Sequence, residues 1–315
     1  MPDDLAAPDG LAPREEGLQW KGFMVVLTLL WASNFPLIKI VSDSDVSTSV
    51  YMCTRFVTAA GAFAAFAIPR VDWRDPVVRE AAAGGAKIGV LVAAGYVFQA
   101  LGLETTTSDK SAFICSLNVV VVSILGALGA RRVEAQTAAA VLLAVVGVGV
   151  LELLGASNPV VGDLLSLGMP LGFGTAYYLL ERLMVRYPDG AIPVTMGKLA
   201  TIATASVAWA VADAGGVPDL APLVASPAVA GSVVYMGVVT TAAAVYFESI
   251  VFKEISATTA ALILTTEPLM AALIAVPLLG EVLGAKEMLG GALIVAGCVL
   301  REVQLPTWGG ERPVT

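Results

Sequence analysis

The chain has 315 residues and a net charge of −8; 57% of its residues are hydrophobic, only 14% are charged, and its mean hydropathy is +0.82. A soluble domain carries about 25% charged residues, so there is no room for a soluble catalytic domain, and the acidic balance argues against nucleic acid, which calls for a basic stripe. There is no histidine. That removes histidine triads, imidazole metal ligands and imidazole proton relays, and no metal or cofactor is expected.

Residues 1–21 form an acidic, proline-containing tail without the basic-then-apolar order of a secretory signal. Apolar runs follow at roughly 22–40, 47–68, 85–104, 109–130, 135–154, 161–183, 193–213, 227–250, 257–279 and 284–303. Each is close to the ~20 residues with which a helix crosses the ~30 Å hydrocarbon core. Backbone groups in lipid must bond internally, and the short alternating strands of a barrel are missing, so the runs are expected to be helices. Residues 304–315 make a second tail.

Lysine and arginine set the orientation. With the N-terminus on the cytoplasmic side, the cytoplasmic segments hold Arg14, Lys21, Arg70, Arg74, Arg79, Lys87, Arg131, Arg132, Arg182, Arg186, Lys253, Arg301 and Arg312. The opposite side holds only Lys39, Lys110 and Lys286, while Arg55 and Lys198 fall inside spans. Both termini are therefore expected in the cytoplasm. The bilayer is a plasma membrane, a bacterial inner membrane or an organelle envelope.

The chain also repeats itself. Residues 107–118 lie over 256–267, and Tyr96 to Glu104 lies over Tyr246 to Glu254. Each half, 22–154 and 161–303, carries five spans, and five is odd, so the second copy enters upside down. The loops agree. Arg131-Arg132 follows the fourth span, whereas its counterpart after the ninth is Gly280-Glu281. The expected fold is an all-α membrane protein of ten helices in two inverted five-helix repeats.

Four stretches resemble the EamA-type families of the drug/metabolite transporter superfamily. They are Trp31-Ala32-Ser33-Asn34-Phe35 with Lys39; Arg55; Ser108 to Phe113; and Ser256-Ala257-Thr258 followed by Glu267-Pro268, Leu279-Gly280-Glu281 and Gly290 to Ile294. The resemblance implies ten helices, inverted repeats and a central substrate cavity. It implies no particular substrate.

Polar groups inside a membrane are costly unless paired or wetted, so they are candidates by default. Trp31, Asn34, Asn118 and Glu267 fall near one equatorial layer, with Gln99 a little further out; Arg55 lies deep in the second span, Tyr177 and Tyr178 toward the inner half of the sixth, and Glu248 near the inner end of the eighth. Each has a plainer alternative. Glu267 could be capped by a neighbour or paired to Arg55. Arg55 could be a structural ion pair. Asn118 and Gln99 could join helices, and Trp31 and Tyr178 could simply pack. Lys198 is expected to snorkel toward the cytoplasmic surface. Pro36, Pro170 and Pro268 are hinge candidates, since each removes a helix hydrogen bond. Gly85-xxx-Gly89 and Gly168-xxx-Gly172 permit close helix approach, inside the fold or in a homodimer. Cys53, Cys115 and Cys298 have no paired spacing and read as buried hydrophobes.

The expected function is a secondary transporter or facilitator of a small polar or amphipathic metabolite, working by rocking of the two repeats around a midplane cavity. The partners are that metabolite and membrane lipid. Arg55 suggests an anionic group on the cargo and Glu267 with Glu248 a cationic one, together an amino-acid-like zwitterion. No nucleotide motif, nucleophile elbow or channel-filter repeat favours an ATP-driven pump, an enzyme or a channel. A membrane scaffold or subunit without transport activity is the alternative.

Overall fold

The computed structural model describes residues 16–103, 105–106, 108–130, 134–153, 160–279 and 284–302. Most of both tails, Arg131-Arg132 and Gly280-Glu281 lie outside the described residues.

Among the described residues the regular structure is helical. In chain order it comprises α1 (Leu18–Ala32), α2 (Asn34–Ser42), α3 (Thr48–Ala67), α4 (Pro76–Leu103), α5 (Ser108–Ser116), α6 (Asn118–Ala130), α7 (Ala135–Leu153) and α8 (Val161–Ser166). It continues with α9 (Gly168–Arg186), α10 (Ala191–Ala214), α11 (Ala221–Ala225), α12 (Pro227–Gly237), α13 (Ala244–Glu254), α14 (Ala257–Leu264), α15 (Glu267–Leu279) and α16 (Ala285–Glu302). A six-residue π-helical stretch, Val238–Ala243, joins α12 to α13.

Six helical stretches are long and apolar enough to cross a membrane: Leu18–Ile38, Thr48–Arg70, Pro76–Gly102, Ala191–Ala214, Pro227–Glu254 and Ala257–Ile274. They correspond to the first, second, third, seventh, eighth and ninth expected spans. The fourth, fifth and tenth appear as shorter apolar helices. The sixth, on α8 and α9, is interrupted at Leu167 and carries Glu181 and Arg182.

Local chemistry explains where helices start and stop. Ser47, Ser226 and Ser256 cap α3, α12 and α14 by accepting the N–H of Val50, Val229 and Thr259. Gly215, at φ 63°, ends α10 in the left-handed region. Pro36, Pro170 and Pro268 cannot bond the carbonyls of Ala32, Ser166 and Leu264. The helices break just ahead of each, at Ser33, Leu167 and Thr265-Thr266. Hydroxyls bond other carbonyls of the turn before the break: Ser33 donates to Leu30, Thr265 to Leu262 and Thr266 to Ile263, each at 2.6 Å.

A fourth break, at Leu117, has no proline. Ser116 donates to the Phe113 carbonyl there at 2.7 Å. The α5–α6 and α14–α15 breaks are repeat counterparts. Segments of 9 and 8 residues precede them, and 13-residue segments follow both.

Helix contacts follow the repeat. Exchanging the halves maps α4 against α8 and α9 onto α13 against α1, α6 against α9 onto α14 and α15 against α1, and α10 against α4 onto α3 against α12. The pairs α3–α10 and α7–α16 map onto themselves. Small residues allow the closest of these approaches. A Cβ on Gly89 would lie 2.7 Å from the Lys198 carbonyl oxygen, and one on Gly172 would lie 2.6 Å from that of Leu91. Gly85 and Gly168 are likewise blocked by Val194 and Phe98. Both glycine pairs singled out in the sequence thus face helices of the same chain.

Candidate functional site

The π-helical stretch is a hub. Val238-Val239-Thr240-Thr241 strings together four β-branched residues, which crowd an α-helix, and π-bulges leave carbonyls open to outside donors. The Trp31 indole N–H donates to the Thr240 carbonyl at 3.0 Å. The Thr240 hydroxyl is shared between Asn34 Oδ1 at 2.6 Å and the Met236 carbonyl at 3.1 Å. Arg55 Nε donates to Thr241 Oγ1 at 2.9 Å, and its Nη1 reaches Tyr51 Oη at 3.2 Å. Gly237 allows this approach, since a Cβ there would sit 3.0 Å from the Arg55 carbonyl oxygen. One turn of the second half therefore holds Trp31, Asn34 and Arg55 of the first.

The helix breaks supply the opposite kind of residue. Asn118 begins α6 and Glu267 begins α15, at equivalent points of the two repeats. Asn118 is 6% exposed, yet its amide oxygen has no hydrogen-bond partner. Glu267 is half-buried and, among the described residues, is in no hydrogen bond or ion pair. It lies within electrostatic reach of Arg55, Cys115 and Tyr177. An unmated buried polar group costs about 1–3 kcal/mol, a cost that Asn118 bears here.

A chain of rings spans the space between the halves. The Arg55 guanidinium lies 5.4 Å from the Phe56 ring centre. Phe56 meets Tyr96 at 5.2 Å, Tyr96 meets Phe173 at 5.0 Å, Phe173 meets Tyr177 at 6.3 Å, and Tyr177 meets Phe252 at 5.5 Å. Beside Phe56 and Tyr96 opens a small cleft lined also by Met52, Ala93, Ile202 and Trp209.

The remaining candidates separate. Tyr178 stands apart from this chain, stacked under Arg182 at 4.4 Å and close to Gly129; its neighbour Tyr177 is the tyrosine in the ring chain. Gln99 is half-buried on α4 without a side-chain hydrogen bond among the described residues. Lys198 does not snorkel. It is 3% exposed and ion-paired to Glu248, also 3% exposed, because the closely packed α10 leaves it no path to the surface. Thr195 and Ser249 bond at 3.0 Å beside this pair. Among the described residues no cluster of three metal-ligating side chains occurs.

Two acidic clasps close opposite ends of the bundle. At one end, Asp163 of α8 receives Thr106 and receives Lys110 Nζ at 3.0 Å. It thereby ties the α4–α5 turn to the second half. At the other end, Glu16 ahead of α1 receives the Ser256 N–H at 2.8 Å and the Thr259 hydroxyl at 2.7 Å, tying the α13–α14 turn to the first half. Lys110 and Thr259 are repeat counterparts. Each clasp therefore joins the start of one repeat to the third-to-fourth-helix turn of the other. Glu181 adds a second carboxylate at the Glu16 end, accepting the Ala257 N–H at 2.9 Å.

The sequence reading passed over Thr240 and Thr241, Tyr96, and both clasps. The β-branched quartet was the available signal for the first. The clasps carried none, because their partners are about 57 and 240 residues apart.

The comparisons with known proteins agree with this architecture. The model of the EamA-like transporter family matches twice, over residues 19–153 and 160–301. An uncharacterized transporter of Archaeoglobus fulgidus is 33% identical over 159 residues, which is 50% of this chain and 47% of that protein; the match spans about half of the relative's length. A crystal structure of 16% sequence identity superposes with a TM-score of 0.73 over 90% of this chain and 98% of its own, a likeness of fold. With its apolar helices and double family match, this multi-pass integral membrane protein belongs to the EamA-like transporter family, within the drug/metabolite transporter superfamily.

Proposed function

We propose that the protein is a secondary transporter that carries a small polar or amphipathic metabolite through ten membrane crossings arranged as two inverted repeats. It performs no covalent chemistry. The observation that carries this reading is the pair Asn118 and Glu267. Asn118, whose amide oxygen has no partner, and Glu267, in no hydrogen bond or ion pair among the described residues, begin half-helices at equivalent breaks of the two repeats, and interrupted helices in corresponding positions are where carriers of this architecture bind cargo. The cargo completes their hydrogen bonds. Arg55, Glu267 and the ring chain favour a zwitterion of amino-acid type.

The mechanism is alternating access. The Asp163 clasp and the Glu16 clasp open in turn, so the site faces one side at a time. Pro36, Pro170 and Pro268 stand at the breaks and permit bending there. Glu267 is the group through which a proton could be coupled. The lysine and arginine distribution favours both termini in the cytoplasm, and the Asp163 clasp then faces the other side.

The test loads proteoliposomes with a defined mixture of amino acids, amines, sugars, nucleobases, organic acids and phosphorylated metabolites, and follows efflux by mass spectrometry. One chemical class should leave faster than from protein-free vesicles. Asn118→Ala combined with Glu267→Gln should abolish the difference. Retention of every compound by vesicles bearing folded protein would overturn the transport reading in favour of a scaffold.

A further inference from the structure

The two repeats each bury a cation at the same place. Arg55 is the eighth residue of α3, Thr48–Ala67, and Lys198 is the eighth residue of α10, Ala191–Ala214, the second long helix of each half. Both are almost fully buried, at 7% and 3% exposure. They differ in what neutralises them. Lys198 is paired with Glu248, on the helix after the next turn of its own half. The residue that overlies Glu248 in the first half is Phe98, with Gln99 beside it. Neither carries a charge.

Arg55 is consequently left with two hydroxyls, Thr241 and Tyr51, and the face of Phe56. Glu267 is near enough for its charge to be felt at Arg55, yet the two form no salt bridge among the described residues. A buried guanidinium without a counter-ion is costly. The bonds to Thr241 and Tyr51 occupy Nε and one Nη1 hydrogen. The other Nη1 hydrogen and both Nη2 hydrogens have no partner among the described residues, the forked edge that matches two oxygens of a carboxylate or phosphate.

We propose that Arg55 is the residue that recognises an anionic group, carboxylate or phosphate, that the cargo must carry; this rests on the transport reading above. Lys198 plays no part in recognition, because Glu248 already holds it. The anion is then the missing counter-ion of the first repeat, standing where the second repeat has Glu248.

Two measurements test this. In the proteoliposome assay, every exported compound should bear a carboxylate or phosphate, and its amide or amine analogue should stay inside. Arg55→Gln should cut efflux at least about tenfold, the effect expected on losing one charged hydrogen bond of about 1.5 kcal/mol or more, and Arg55→Lys should restore part of it. In the second measurement, wild-type protein is treated with phenylglyoxal and arginine peptides are quantified. Sodium benzoate or inorganic phosphate should protect Arg55 and leave the exposed Arg70 and Arg186 unprotected. Protection by one and not the other separates a carboxylate from a phosphate. Export of a compound without an anionic group, or undiminished efflux by Arg55→Gln, overturns the inference and leaves transport standing. Silence of the whole panel overturns the transport reading, and the labelling then decides Arg55 alone: no protection by either anion rejects the site.

Discussion

Two polar regions lie inside the same bundle and are built in opposite ways. Around Lys198, every group shown has a partner: Glu248 takes the ammonium, and Thr195 and Ser249 take each other. In the other region, the Asn118 amide oxygen has no partner, and Glu267 is in no hydrogen bond or ion pair among the described residues. The contrast separates structure from work. A mated buried network specifies packing, and its loss destabilises. An unmated one costs stability and calls for a water, an ion, a ligand or a motion to account for it. Composition cannot distinguish the two, since both are single polar residues in apolar runs.

Substitutions can break this contrast at graded strengths, read as unfolding free energy in detergent. Glu248→Ala should cost the most, about 3–5 kcal/mol, because it strands the Lys198 charge inside protein; a fully stable variant would mean the pair is hydrated. Asp163→Asn should cost about 1.5–3 kcal/mol, the range for hydrogen bonds to charged groups. It should also raise labelling of a cysteine introduced at Ser166 from that end of the bundle, whereas Glu16→Gln should not. Trp31→Phe should cost about 1 kcal/mol, the net worth of one neutral hydrogen bond, by freeing the Thr240 carbonyl. Asn118→Leu should cost the least, within about 0.5 kcal/mol or even stabilising, since it removes an unsatisfied group, while efflux is lost. A large destabilisation by Asn118→Leu would erase the distinction and return Asn118 to a structural role.

Much of this was legible in the chain. Long apolar runs declare helices, because a bilayer leaves the backbone no other partner. Three of the four helix breaks announce themselves by Pro36, Pro170 and Pro268. The break at Leu117 does not, and only its repeat equivalence to Thr265-Thr266 hints at it. The site was half legible. Asn118, Glu267, Trp31 and Asn34 stand out as polar residues at one depth. The partners of Trp31, Asn34 and Arg55 do not: Thr240 and Thr241 resemble any threonine of an apolar helix until the π-helical turn exposes a carbonyl. Lys198 misled for a related reason. Its depth fits snorkelling, but α4 and α10 pack too closely for its stem to reach the surface.

That close packing also limits how the molecule can change shape. α4 belongs to the first repeat, α9 and α10 to the second, and glycines bring all three backbones into direct contact at Gly85, Gly89, Gly172 and Gly197. With little between them the seam resists opening, and it crosses the boundary between the halves, so a rocking of one repeat against the other would have to part it. The helix breaks at Ser33, Leu117, Leu167 and Thr265-Thr266, where regular backbone hydrogen bonding is interrupted, are the softer places. Accessibility of cysteines placed along the seam and at the breaks would tell which of the two moves.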